Sequence, residues 1–201
     1  MNIIVIGRTA YGKTNVAKAL CEATGKGHIG MSDWVRKEFK STADNRDDFV
    51  REISEYSIKE LRKNPRRSVD YIYANNDFGG SSFVIEGIRN PHDFFELYKS
   101  GDIVIHINFC SAAKIGTPTS VFDEGVDIIG GYMDWATEIG LLPREKFLKC
   151  SFMSYDDAEE IVGIIPRMTG DITDQKLSGL VDKIVDHVSK LDNWRNDRNE
   201  H

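Results

Sequence analysis

The first twenty residues, MNIIVIGRTAYGKTNVAKAL (Met1 to Leu20), decide how the rest of the chain is read. Asn2 to Ile6 is a short apolar, β-branched run. Gly7, Arg8, Thr9, Ala10, Tyr11, Gly12, Lys13 and Thr14 then spell G-x-x-x-x-G-K-T, and a helical pattern follows. Strand, glycine loop and helix in that order are the context a phosphate-binding loop requires. Glycines let the backbone curl around an anion without Cβ clashes, so successive N–H groups point inward, and the next helix adds the positive end of its dipole. In such a loop, residues Gly7 to Asn15 cradle the phosphates of a nucleotide. Lys13 reaches the β- and γ-phosphates, and the Thr14 hydroxyl ligates Mg²⁺.

Working outward, the pattern stays that of an α/β protein. Val16, Ala17, Leu20 and Cys21 share one helical face, and Gly25 is a natural stop. Gly27 to Met31 reads as a short strand, followed by a helix with Ser32 or Asp33 as its cap, running to about Phe39. Asp48 to Lys63 follows helical spacing until Asn64 and Pro65 end it, and Ser68 to Asn76 is a further helix. Phe83 to Ile85 and Ile103 to Phe109 are compact apolar runs on either side of a helix that Pro91 opens. Strands that are apolar throughout and separated by helices predict a parallel sheet of about five strands, covered on both faces. The expected fold is the three-layer sandwich of the P-loop NTPases, as one domain over residues 1–201.

Beyond Cys110, Gly116, Pro118, Gly125, Gly130 and Gly131 predict a loop-rich stretch with one short helix from Ala112 to Gly131, and Tyr132 to Ile139 reads as helical. Either Phe147 to Met153 or Ile161 to Ile165 supplies the last strand. Leu177 to Leu191 has the clearest apolar stripe of the late helices, approached through a cap at Asp171 or Thr173.

The chain has 201 residues, 40% apolar and 29% charged, enough for one sizeable core. A net charge of −6 offers no general basic field, so neither polymeric nucleic acid nor a membrane surface is an expected partner. The N-terminal apolar run is too short for a signal peptide, and the cytoplasm is the expected compartment. Cys21, Cys110 and Cys150 are odd in number and lack a C-x-x-C pair, which argues for reduced thiols rather than zinc or a disulfide framework. His106, inside an apolar strand, reads as a core histidine with its polar atoms satisfied.

The order of motifs after the glycine loop resembles the nucleoside monophosphate kinases of the adenylate kinase type, including dephospho-CoA-kinase-like proteins and phage deoxynucleoside monophosphate kinases. The resemblance rests on Ser32-Asp33-x-Val35-Arg36 after a short strand and on Glu86-Gly87-Ile88-Arg89-x-Pro91 at the end of another, and it covers about the first 110 residues. It implies ATP and Mg²⁺ as cofactors and a small-molecule nucleotide acceptor. By the same resemblance Lys13, Arg36 and Arg89 are catalytic, and Asp33, Arg36, Glu86, Gly87 and Arg89 face the acceptor. Glu86 holds a metal-bound water beside Thr14. Residues of about 33–76 form a helical acceptor-binding flap, in which Trp34, Tyr56 and Tyr73 are base-stacking or core residues and Arg62, Lys63, Arg66 and Arg67 a solvated helix end. Ser32 and Asp33 serve capping as readily as ligand binding.

One part of the pattern departs from that family. Its members close a lid carrying two or more arginines over the transferring phosphoryl group, whereas Phe109 to Pro143 contains no arginine and only Lys114 as a cation. The lid-like insert at about 111–150 is therefore atypical, with Arg144 as a displaced lid arginine or Arg8 as cationic help from within the loop. Two functions stay open: ATP-dependent phosphoryl transfer to a nucleoside or deoxynucleoside monophosphate, or nucleotide binding by a regulatory or scaffold protein. A GTPase lacks support, since neither D-x-x-G after a strand nor N-K-x-D occurs. Oligomeric state leaves no sequence signal.

Overall fold

A computed structural model of the chain describes residues 1–8, 13–43, 45–109, 122–153, 168–169 and 182–191. The elements in order are β1 (Ile3–Gly7), α1 (Lys13–Thr24), β2 (Gly27–Gly30), α2 (Asp33–Glu38), α3 (Arg46–Lys63), α4 (Arg67–Asn75), β3 (Phe83–Glu86), α5 (Pro91–Leu97), β4 (Ile103–Phe109), α6 (Asp123–Glu138), β5 (Phe147–Met153) and β6 (Met168–Thr169). A last helix, α7, occupies 182–191. The sheet runs β2-β3-β1-β4-β5-β6, and every neighbouring pair is parallel. Five strands build the sheet as expected, and the two-residue β6 extends it past β5. Of the two alternatives for the last strand, Phe147 to Met153 is β5, and Ile161 to Ile165 lies outside the described residues, as do Asp171, Thr173 and Leu177.

Strand alternation sorts the apolar run of β1 into two cores. Ile3 and Val5 point to one face with Ile103, Ile105, Ile107 and Leu148, where Val16, Ala17 and Leu20 of α1 and Ile184 and Val188 of α7 cover them. Ile4 and Ile6 point to the other, with Ile85, Val104 and Phe147 under Phe94 of α5 and Ile129, Met133 and Ala136 of α6. Both faces of β1 and β3 are buried, which is why these strands read as continuous apolar runs. At the amino edge of the sheet, Asn2 is locked by Asp102: Oδ1 accepts the Asn2 N–H at 2.8 Å, while Asn2 Oδ1 accepts the Phe83 N–H at 3.0 Å. The opposite, carboxyl edge carries the loop after β1 and the turn after β3.

The described part of the stretch expected to be loop-rich with one short helix is continuous with the helix expected from Tyr132, and the two form one long element. α6 begins at Asp123 and runs through Gly125, Gly130 and Gly131, because tertiary contacts require two of these glycines. A Cβ on Gly125 would lie 1.8 Å from the Arg89 carbonyl oxygen, and one on Gly130 would lie 2.7 Å from His106 Cε1. The backbone of α6 thus sits directly on the turn after β3 and on a β4 side chain. His106 is buried as expected, but its Nδ1 has no hydrogen-bond partner, so the core histidine is not fully satisfied. No helix among the described residues is long and apolar enough to cross a membrane.

Candidate functional site

A cavity of about 530 Å³ opens at the carboxyl edge of the sheet, between the first turn of α1, the ends of β2 and β3, and the helices α2 to α4. This is where open α/β sheets bind ligands, outside the carboxyl ends of their strands. Lys13, Thr14 and Asn15 line one wall, Glu86, Gly87 and Arg89 a second, and Arg36 a third. Lys13, Thr14, Arg36, Glu86, Gly87 and Arg89 therefore converge on one space although they come from three separate segments.

Lys13 is buried, and its Nζ donates to the Arg8 carbonyl at 2.6 Å, which sets the ammonium against the backbone that opens the glycine loop. Thr9, Ala10, Tyr11 and Gly12 lie outside the described residues. Gly7 ends β1, hydrogen-bonded in register with Ile107 of β4. The Arg8 guanidinium turns away from the cavity and forms a two-point fork on the Asp127 carboxylate of α6, with the Nε–Oδ1 contact at 3.1 Å.

Glu86, the last residue of β3, is buried, and its Oε1 accepts the Thr14 hydroxyl at 3.1 Å. A carboxylate and a hydroxyl side by side form an all-oxygen donor pair, the type that suits a hard cation such as Mg²⁺ holding several waters. The residues present fit the metal expected there. Among the described residues no cluster of three or more His, Cys, Asp or Glu forms a closed metal cage. That agrees with a site in which substrate phosphates and water complete the shell.

Arg89 leaves β3 through the turn at Gly87, which has φ +83°. Its Nε is buried without a hydrogen-bond partner. Burial pushes the pKa of this guanidinium down, the Asp123 and Glu86 carboxylates pull it back up, and Arg36 lowers it further. Two cations thus repel each other across one cavity, an arrangement that a phosphate dianion relieves by accepting parallel hydrogen bonds from both forks.

Asp33 takes a different part from the one the resemblance implies. Its Oδ2 accepts the Gly30 N–H at 3.0 Å, tying α2 to the end of β2, and it does not line the cavity. Ser32 occupies the N-cap position without a side-chain cap bond. Trp34 is buried and walls the cavity, with the Arg67 guanidinium 5.5 Å from its ring centroid. Arg67 also pairs with Glu38 at 2.6 Å and Glu60 at 3.0 Å, and Arg66 with Glu96 at 2.7 Å. The expected solvated helix end is therefore a network joining α2, α3, α4 and α5. Tyr73 is exposed and donates to the Glu96 carbonyl, away from the cavity.

Sequence reasoning passed over Asp93 and Ser68, both buried and both in the cavity wall. Burial pushes the Asp93 carboxyl up to about 6, with His92 and the Ser68 hydroxyl pulling the other way. The one available signal is spacing: Asp93 follows Arg89 by one helical turn at the start of α5. Arg144 corrects a second expectation. It opens the 3₁₀ turn Arg144–Lys146 just before β5, and the neighbouring Lys146 reaches the Gly101 carbonyl on the amino edge. That is the end of the sheet opposite the glycine loop, so Arg144 is not placed to serve as a lid arginine. Lys114 lies outside the described residues, and Lys149 is held by Asp134 at 2.7 Å.

No family model matches the chain, and no curated relative matches it. Among solved structures it is similar to a gluconokinase from Sinorhizobium meliloti 1021, at 15% identity over 98% of this chain and 96% of that one, with a TM-score of 0.41. It is also similar to a sugar kinase from Janibacter sp. HTCC2649, at 14% identity over 75% of this chain and 84% of that one, with a TM-score of 0.34. Likenesses this distant have no bearing on the acceptor; the fold rests on the sheet order and the site on its own geometry.

Proposed function

We propose that the protein is a cytoplasmic phosphotransferase that moves the γ-phosphoryl group of ATP to the phosphate of a nucleoside or deoxynucleoside monophosphate. The observation that carries this reading is the convergence of Arg36 and Arg89 on the cavity that Lys13 and Thr14 also line. A site for one nucleotide needs cations only along its own phosphates, whereas here, besides the Lys13 ammonium, a pair of guanidiniums stands across the cavity from the first turn of α1. Mg²⁺ with ATP, when bound, supplies the transferable group and neutralises charge on its oxygens. The chain's own residues do the rest. Lys13 presents a fixed ammonium, Arg36 and Arg89 hold the acceptor phosphate in line, and Phe49, Ile53 and Leu61 of α3 give the cavity an apolar wall that excludes water.

The deciding experiment measures transfer from ATP with Mg²⁺ across a panel of ribo- and deoxyribonucleoside monophosphates plus dephospho-CoA, with Lys13→Met as control. Transfer to one acceptor that the control loses is the expected result. ATP binding with transfer to no acceptor would favour a regulatory nucleotide-binding protein, a reading that the position of Arg144 at the wrong edge keeps in view.

A further inference from the structure

The outer face of α6 carries an unusual concentration of exposed apolar surface. Ile128, Tyr132, Trp135 and Ile139 follow one another at i, i+4, i+7 and i+11, one continuous stripe on the helix. Phe95 of α5 packs edge-on against Tyr132 with ring centroids 4.9 Å apart, and Leu141, just past the helix end, is 68% exposed. These are six of the eight exposed large hydrophobic residues among those described. Roughly half-exposed side chains of this size present on the order of 500 Å² together, the upper end of what a monomer shows without a binding role.

The stripe is bordered on one side by Phe95 and on the other by acid. Glu124, Gly131 and Glu138 are spaced seven apart, so they run parallel to the stripe, with Asp127 and Asp134 beyond them. α6 holds five carboxylates and no basic residue. Asp123 is buried and faces Arg89, Asp127 is taken by Arg8 and Asp134 by Lys149, which leaves Glu124 and Glu138 without an ion pair among the described residues. Between these two, Gly131 is exposed and faces open space, so no side chain stands between the stripe and its acidic edge.

We propose that this face docks an amphipathic helix of a partner protein whose apolar side is edged by lysine or arginine. Its apolar anchors would pack on Tyr132 and Trp135 over the open surface at Gly131, and its basic edge would meet Glu124 and Glu138, as amphipathic helices are recognised by an apolar face with a charged border. A second copy of this chain fits less well. Two-fold antiparallel pairing of α6 would set Glu124 against Glu138, like charge on like, in a chain of net charge −6. An anionic membrane meets the same repulsion.

The test uses the full chain and two fluorescein-labelled helical peptides of about 18 residues, one of leucine and lysine, the other of leucine and glutamate in the same pattern. Anisotropy should show saturable 1:1 binding of the lysine peptide alone. Trp135→Ser should weaken it about tenfold. The double variant Glu124→Lys, Glu138→Lys should weaken it by a similar factor and admit the glutamate peptide. All these positions are exposed, so each variant should melt within a few degrees of wild type. Equal binding of both peptides, indifference to Trp135→Ser, or a wild-type dimer in sedimentation that Trp135→Ser dissolves would each overturn the proposal.

Discussion

The Thr14 hydroxyl donates to Glu86 Oε1 across 3.1 Å, joining the first turn of α1 to the last residue of β3. Two oxygens that lie 72 residues apart in the chain meet because β1 and β3 are parallel neighbours and release their chains at the same edge. Replacing Glu86 with Gln keeps an acceptor for Thr14 and removes the charge. The Mg²⁺ concentration giving half-maximal transfer should then rise about tenfold or more, with little change in melting temperature. An unchanged metal requirement would separate Glu86 from the metal.

Lys13→Met preserves the buried stem and deletes the ammonium. Transfer should fall by about a thousandfold or more, while circular dichroism and thermal melting stay close to wild type. A variant that keeps a tenth of the activity would remove Lys13 from the phosphate site.

Arg36→Met and Arg89→Met should act on one substrate only. The KM for the acceptor should rise about tenfold or more in each, with the KM for ATP changed less than about threefold. A rise in the KM for ATP alone would mean that the two guanidiniums face the donor.

Arg144→Ala should leave transfer within about twofold of wild type, as surface substitutions distant from a site do. Its turn lies at the amino edge of the sheet. Loss of activity in this variant would show that the chain at 144 folds over the opposite edge during turnover.

Asp93 and His106 oppose one another with pH. The Asp93 carboxyl rises from its ordinary 3.8 to about 6 on folding, so the native state binds more protons than the unfolded chain between those values, and stability is lost as pH rises through about 6. Burial drops His106 from 6.5 to about 4, so the unfolded chain binds more protons there, and stability is lost as pH falls toward 4. Asp93→Asn should raise the melting temperature at pH 7, by about 3 kcal/mol of stability at most, and the gain should vanish near pH 4. His106→Asn should reduce acid sensitivity below pH 6. Melting curves from pH 4 to 7 on the two variants test both signs.

The parallel sheet was legible because its central strands are buried on both faces and so read as unbroken apolar runs, and the edge where Lys13, Arg36 and Arg89 meet followed from strand ends alone. α6 was not legible as one helix. Gly125, Gly130 and Gly131 signal a loop in any local reading, and only the Arg89 carbonyl and the His106 ring, distant in the chain, explain two of them. Asp93 was hidden for another reason: Asn90 and Asp93 stand three apart at a helix start, and that spacing already has a capping explanation, which the 3.5 Å contact between them partly fulfils. Arg144 could not be placed because the last strand was open between Phe147 to Met153 and Ile161 to Ile165; once Phe147 opens a parallel strand, the turn before it falls at the amino edge.

Arg67 lies over the Trp34 ring and holds Glu38 and Glu60 at the same time, so α2, α3 and α4 are riveted at one point beside the cavity. The rivet makes the helical wall of the cavity a prefabricated unit. Its helices lose their independent freedom when the chain folds, and a ligand entering the cavity has only the orientation of the whole unit left to fix. Selectivity can then be read as a property of the mould, with Arg67 shaping the cavity although it does not line it.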